Sequence, residues 1–198
     1  MSLRVHRFMS STRVEGPGVR ACLQVQGCPI QCPGCAVPFT WSENGGYTVE
    51  VENLAERILS GPAIEGITFL GGEPFAQAGE LAELSRILKR HDLSIMTFTG
   101  YYLEYLQSAG NPDYLELLAV TDLLIDGPFR KDLLNTSRPW VGSSNQRYHF
   151  LTDRYVHLQP SLTRIPNRLE VRIAPDGRIM VNGLAEEKDL DDLFRDLL

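Results

Sequence analysis

Three of the four cysteines stand together in Cys28-Pro29-Ile30-Gln31-Cys32-Pro33-Gly34-Cys35, a Cys-x3-Cys-x2-Cys run entered through Gln26-Gly27. Pro and Gly interleave the thiols, so turns and whatever the sulfurs hold shape this segment, not helix or strand periodicity. Soft thiolates grouped in this way select an iron–sulfur cluster or zinc. Three local ligands leave one metal corner open, which a catalytic site needs and a closed structural site lacks. The fourth thiol, Cys22, lies upstream in Val19–Val25, which alternates like a strand, an awkward origin for the last ligand of a four-thiolate knot. Disulfides are disfavoured, because Met1-Ser2-Leu3-Arg4-Val5 has no apolar signal segment and a cytosolic cysteine cluster points to metal. An inert role for the thiols stays open beside the two metal readings.

The elements that must carry this loop alternate along the chain. Leu3 to Met9 reads as a short strand, and the turn Glu15-Gly16-Pro17-Gly18-Val19-Arg20 feeds the strand that delivers the cysteines. Phe39 and Trp41 read as packing aromatics. Thr48 is a plausible helix N-cap, with Glu50 and Glu52 in the first turn. Val51, Leu54, Ala55, Ile58 and Leu59 then share one helical face, until Gly61-Pro62 stops it. Apolar strands at Ile67–Leu70, Ser94–Thr99 and Leu123–Asp126 end at Gly71-Gly72-Glu73-Pro74, Gly100 and Gly127-Pro128. Between them come a helix burying Leu81, Leu84, Ile87 and Leu88, and helical pieces at Tyr101–Ala109 and Asp113–Val120. Strands alternating with such helices imply right-handed βαβ crossovers and a parallel sheet. The chain is too short for eight units, so the expected fold is α/β, a partial, open (β/α) barrel.

Past Trp140-Val141-Gly142-Ser143-Ser144-Asn145-Gln146-Arg147 the style changes. A strand is expected at Tyr148-His149-Phe150, then a hairpin with Leu169, Val171 and Ile173 returning through Pro175-Asp176-Gly177 to Ile179 and Val181. Leu190, Leu193, Phe194 and Leu197 give a closing helix its apolar face. This tail reads as a structural cap on the sheet edge. Residues 1–150 would form the core and 151–198 a C-terminal extension packed on the same domain. With 198 residues and 43% hydrophobic composition, one soluble domain is expected. A net charge of −6 argues against nucleic-acid binding, and no apolar span approaches membrane length, so a cytoplasmic protein is expected.

Ligands of open parallel sheets sit at the carboxyl ends of the strands. The cysteine loop, Gly71–Pro74, Thr99-Gly100 and Asp126-Gly127 all fall there. Alone, the glycine pair is a strand-to-helix turn, Glu73 a helix-dipole carboxylate and Asp126 a turn residue; their convergence on one edge marks a site.

These residues resemble a family. The cysteine spacing followed by Gly-Gly-Glu-Pro at a strand end is similar to the radical S-adenosylmethionine (SAM) enzymes. Gly16-Pro17-Gly18-Val19-Arg20, Cys32-Pro33-Gly34-Cys35, Asp126-Gly127-Pro128-Phe129 and Gly142–Arg147 resemble the anaerobic ribonucleotide reductase activating proteins, with the pyruvate formate-lyase activating enzymes close by. The latter carry Asp-Thr-Asn-Gly where this chain reads Thr97-Phe98-Thr99-Gly100. The resemblance implies that Cys28, Cys32 and Cys35 hold a [4Fe–4S] cluster whose fourth iron is chelated by SAM. It implies that Gly71, Gly72, Glu73 and Pro74 receive the methionyl ammonium, and that Thr99, Asp126 and Asn145 face the sugar and adenine. A flavodoxin or ferredoxin would supply one electron, and the resulting 5′-deoxyadenosyl radical would take a hydrogen atom from a glycine of a partner enzyme. Two other readings compete: a radical SAM enzyme acting directly on a peptide or small molecule, and a non-enzymatic zinc or iron–sulfur module.

Overall fold

The computed structural model describes residues 1–185 together with Lys188, Asp191, Asp192 and Arg195, so the expected closing helix through Leu190, Leu193, Phe194 and Leu197 lies outside the described residues. The chain begins with β1 (Ser2–Thr12) and β2 (Arg20–Val25), and after the cysteine loop β3 (Tyr47–Glu50) runs directly into α1 (Val51–Leu59). Then follow β4 (Gly66–Gly71), α2 (Ala78–Lys89), β5 (Ser94–Phe98), α3 (Leu103–Ser108), α4 (Pro112–Val120), β6 (Leu123–Asp126) and β7 (Arg147–Phe150). A 3₁₀ segment, Asp153–Arg164, leads to a hairpin of β8 (Leu169–Ile173) and β9 (Ile179–Gly183).

Among the described residues the main sheet has the order β3-β1-β2-β4-β5-β6-β7. Its centre is parallel, β2 against β4, β4 against β5 and β5 against β6. Antiparallel neighbours close both sides: β1 beside β2, β3 beside β1, and β7 beside β6. The fold is thus mixed α/β around a parallel core, with every site-bearing strand ending on the same edge.

Alternation along the strands assigns the two faces. Ala21, Leu23, Val25, Ile67, Phe69, Ile95 and Leu124 pack in one core with Leu54, Ile58, Leu81, Leu84 and Leu88 of the helices. Their neighbours Met96, Leu123 and Ile125 point the other way, against Trp140, Val141 and Tyr155. That second face is polar where β2 crosses it: Arg20 is fully buried, donating to Thr68 Oγ1 (2.9 Å), Ser94 Oγ (3.0 Å), Tyr155 Oη (2.7 Å) and the Ile67 carbonyl (2.8 Å). A buried guanidinium is tolerated only when its donors are matched in this way.

Three local expectations change. Thr48 is not an N-cap: it pairs with Arg4 across β1 and β3, and the helix starts at Val51 behind Glu50, which makes no side-chain cap. Extending β3 satisfies the edge of β1, and that tertiary pairing overrides the local capping signal. Leu59, eight positions after Val51, drifts off the apolar stripe and stays 38% exposed. Phe39 is mostly exposed, tilted over His6 at 4.8 Å between ring centroids.

The hairpin adds no strand to the main sheet. It reaches the end of β1 through side chains, Glu170 accepting from Thr12 Oγ1 at 2.6 Å and from the Arg13 N–H at 3.3 Å.

Candidate active site

The cysteine loop is built on a backbone clamp. Gly27 donates to the Thr40 carbonyl (2.8 Å) and Cys28 to the Trp41 carbonyl (3.0 Å), tying the loop to the segment that returns from it. Gln26, buried, reinforces the tie by donating to the carbonyls of Phe39 (3.1 Å) and Ser42 (2.7 Å). Gln77 then locks Gln26 to β1, its amide donating to the carbonyls of Gln26 (3.0 Å) and Arg4 (2.9 Å). Neither glutamine stood out in the sequence, because each acts through distant backbone.

Cys28, Cys32 and Cys35 are half-buried and line one cleft of about 250 Å³. Burial pushes the thiols of Cys28 and Cys32 up, against the pull of nearby backbone N–H groups. Cys22 is fully buried on β2 opposite Met9 and is not among the cleft residues. Among the described residues no three His, Cys, Asp or Glu side chains converge on a point that would hold a single metal ion. The three thiols line the same cleft, and soft thiolates are the ligands an iron–sulfur cluster takes.

The turn after β4 forms the facing wall. Gly72 donates to the Val25 carbonyl and Glu73 to the Gly27 carbonyl, both at 2.8 Å, so this turn and the cysteine loop are stitched backbone to backbone. The seam explains the glycine pair. A Cβ on Gly72 would sit 2.2 Å from the Gly27 carbonyl oxygen, and Gly71 adopts φ +104°, which side chains avoid. The Glu73 carboxyl is 1% exposed and accepts from the N–H groups of Phe75 (2.9 Å) and Gly100 (2.8 Å) and from Thr99 Oγ1 (2.9 Å). Burial outweighs these donors and raises its pKa to about 7. Thr99 lines the cleft with its hydroxyl turned to Glu73.

Asp126 and Asn145 behave differently. The Asp126 carboxylate takes two hydrogen bonds from Arg147 (2.9 and 2.5 Å) and one from the Leu103 N–H (2.7 Å), with His149 Nε2 3.0 Å away. Burial alone would raise it, but the close approach of His149 and the hydrogen bonds from Arg147 and the Leu103 N–H win and hold it well below the usual carboxylate range. Neither residue lines the cleft; their neighbours Gly127 and Gln146 do. Asn145 donates to the Pro128 carbonyl (2.8 Å), and its Oδ1 is buried with no hydrogen-bond partner. In the cleft itself, Trp41 Nε1 is likewise a buried donor with none. A buried polar atom calls for a partner, and a polar ligand in the cleft would supply one to Trp41.

Sequence reasoning missed Glu15, Phe129, Trp140 and Gln146, all of which line the cleft. Glu15 meets Asn182 and the Gly183 N–H of the hairpin, and its burial raises its pKa to about 7. Gly183 and Leu184 line the cleft as well.

Residues 14–149 match the family described as a 4Fe-4S single cluster domain. The anaerobic ribonucleoside-triphosphate reductase-activating protein of Salmonella typhi is 33% identical over 157 residues, covering 75% of this chain and 99% of that one. The chain belongs to the glycyl radical activating branch of the radical SAM enzymes. Its Escherichia coli K12 relative of the same name is 32% identical over 158 residues, with 99% of that protein covered. The pyruvate formate-lyase-activating enzyme of Clostridium pasteurianum is 32% identical over 127 residues, covering 62% of this chain and 50% of that one. The cofactors of the family are a [4Fe–4S] cluster and SAM, and the three cleft-lining thiols and the unpartnered Trp41 Nε1 fit a soft metal cluster with a polar ligand beside it. Among the described residues no helix is long and apolar enough to cross a membrane.

Proposed function

We propose that this enzyme installs a glycyl radical on a large partner of the anaerobic ribonucleotide reductase type. The observation that carries the reading is the seam: three cysteines and the Gly71–Pro74 turn share one cleft, locked by the Gly72 and Glu73 hydrogen bonds. Cys28, Cys32 and Cys35 hold three irons of the cluster. When bound, the cluster supplies the electron that cleaves SAM into methionine and a 5′-deoxyadenosyl radical.

The protein's part is to bind, orient and shield. An ammonium needs acceptors, and the N–H groups of Gly72 and Glu73 are already spent inward, so the Gly71–Pro74 strand end meets the methionyl ammonium through carbonyls. Gly127 and Gln146 face the nucleoside end, with Thr99 setting Glu73, and with Asn145 and the Asp126–Arg147 pair behind them. The parallel strands curve as a partial, open barrel, and its open side admits a protein loop. Residues 1–150 act as the catalytic core and 151–198 as an extension packed on it. A cytoplasmic flavodoxin or ferredoxin supplies the electron. The net charge of −6 argues against a nucleic-acid partner.

A second reading has one observation in its favour. Gly183 and Leu184 of the extension line the cleft and could complete a pocket for a peptide or small molecule taken up directly. The two separate in one anaerobic experiment: reconstitute the cluster, reduce it, add SAM and the anaerobic ribonucleotide reductase of the same source. A doublet radical signal on the reductase with stoichiometric 5′-deoxyadenosine supports the activase. Product that never marks the reductase refutes it.

A further inference from the structure

The hairpin is mounted with its sides reversed. Register puts Val171 opposite Val181 and Ile173 opposite Ile179 on one face, and Glu170 opposite Asn182 and Arg172 opposite Met180 on the other. A surface hairpin ordinarily turns its apolar face to the protein and its polar face to water. Here the polar face turns inward. Glu170 accepts from Thr12 and Arg13, the Arg172 guanidinium donates to the Ser11 carbonyl, and Asn182 reaches Thr12 Oγ1 at 3.4 Å. Among the described residues the apolar face is left outward: Val171 is 37%, Ile179 44% and Ile173 67% exposed, with Met180 at the tip of the other face 40% exposed as well.

Two further observations give this face an occupant. The strand end of the hairpin, Gly183 with Leu184, lines the active cleft, so the apolar stripe is continuous with the mouth through which a hydrogen donor must enter. The family match ends at residue 149, so the hairpin lies outside the matched core and is an addition beside its cleft.

We infer that the outward face of β8–β9 is a docking surface for the protein that delivers its glycine to the cleft. This rests on the activase reading. The partner presents an apolar patch beside its glycine-bearing loop, and the loop enters past Leu184 while the patch covers Val171, Ile173 and Ile179. The inward ion-pairing and hydrogen-bonding residues fix the hairpin to β1, so the stripe is held at one angle to the cleft and pre-organised for the partner. Apolar anchors beside a site govern how long the partner stays rather than the chemistry at the centre.

The test is the full-length triple variant Val171→Ser, Ile173→Ser, Ile179→Ser beside wild type, with the anaerobic ribonucleotide reductase of the same source as probe. Expected is unchanged partner-free 5′-deoxyadenosine formation with dithionite, but at least tenfold weaker association with the reductase and a matching loss of radical yield at limiting enzyme. Wild-type affinity and yield in the variant would overturn the assignment while leaving the activase reading intact. Wild-type enzyme that neither binds nor marks the reductase would sink the activase reading and this surface with it. A variant that turns from dimer to monomer would give the face to a second copy of the chain, and one that loses folding stability but not association would give it to the chain's own C-terminal residues; both overturn the proposal.

Discussion

Glu73, just past β4, and Asp126, at the end of β6, are both buried carboxyls on one edge of one sheet, yet their partners differ in charge. Glu73 receives three neutral donors, which burial outweighs, and its pKa climbs to about 7. Asp126 receives a guanidinium and an imidazole, which outweigh burial and hold it low. Neutral donors place a carboxyl without holding it ionised, so Glu73 keeps its proton up to about pH 7 and stays able to release it when a cation is brought into the cleft. The Arg147 guanidinium spends the charge on structure. Glu73 lines the cleft and Asp126 does not, so the β4 end is the one we propose meets the ligand, with the β6 end a clamp beside Gly127 and Gln146.

Removing the thiols of the loop after β2, stitched to the β4 end, should have the largest effect. Cys32→Ala is expected to lose the cluster and all SAM cleavage, while Cys22→Ala keeps both; iron and sulfide content and 5′-deoxyadenosine yield decide it. Full activity in the first variant, or cluster loss in the second, would reverse the ligand assignment.

Next come the carboxyls themselves. Glu73→Ala leaves three buried donors unpaired in the cleft wall and should weaken SAM binding at least tenfold by calorimetry. Asp126→Ala should cost about 2–3 kcal/mol in urea unfolding, because Arg147 and the Leu103 N–H lose a charged acceptor. SAM affinity of the folded Asp126 variant should stay within about threefold of wild type, a factor worth well under 1.4 kcal/mol. If instead the folded Asp126→Ala protein cannot bind SAM, the contrast between the two ends fails.

The sharpest contrast between the two carboxyls is in pH. Glu73 and Glu15 keep their protons up to about pH 7 in the fold, whereas the unfolded chain releases them near 4.5. Across that interval the folded state binds more protons, so stability falls as pH rises from about 4.5 to 7. For Glu73 the loss is on the order of 3 kcal/mol, at about 1.4 kcal/mol per unit of pKa difference. Asp126 acts in the opposite sense, but only below its ordinary range near 3.8, outside this window. Melting midpoints of the cluster-free protein should fall between pH 5 and 7.5; Glu73→Gln should flatten that slope and Asp126→Asn should leave it alone.

The sequence was most readable where chemistry and local geometry coincide. Cys-x3-Cys-x2-Cys and Gly71-Gly72 announce themselves, because thiols and glycines at a strand end have few other uses. The helices bury Leu54, Ile58, Leu81 and Leu88 as their spacing predicts. Thr48 misled because its strand partner, Arg4, lies far away in sequence. Asp126 looked like a ligand until Arg147 and His149, brought alongside by the antiparallel β6–β7 pairing, took its oxygens. Glu15 and the hairpin meet only after the whole chain has folded, and no periodicity within either segment encodes that meeting.

Arg20 sets a limit on how this chain can be trimmed. Its guanidinium is fully buried beneath the sheet and donates to Tyr155, a residue beyond the stretch shared with the family. The same phenol also bonds Glu65 at 2.7 Å and lies 2.6 Å from Ser94 Oγ. An engineer seeking a minimal activase would cut after residue 150, where the family match has ended. That cut would strip a buried cation of one of its acceptors and unroof the core around Met96 and Ile125. The tail can be redesigned at its outward face, but the first turns beyond residue 150 have become foundations.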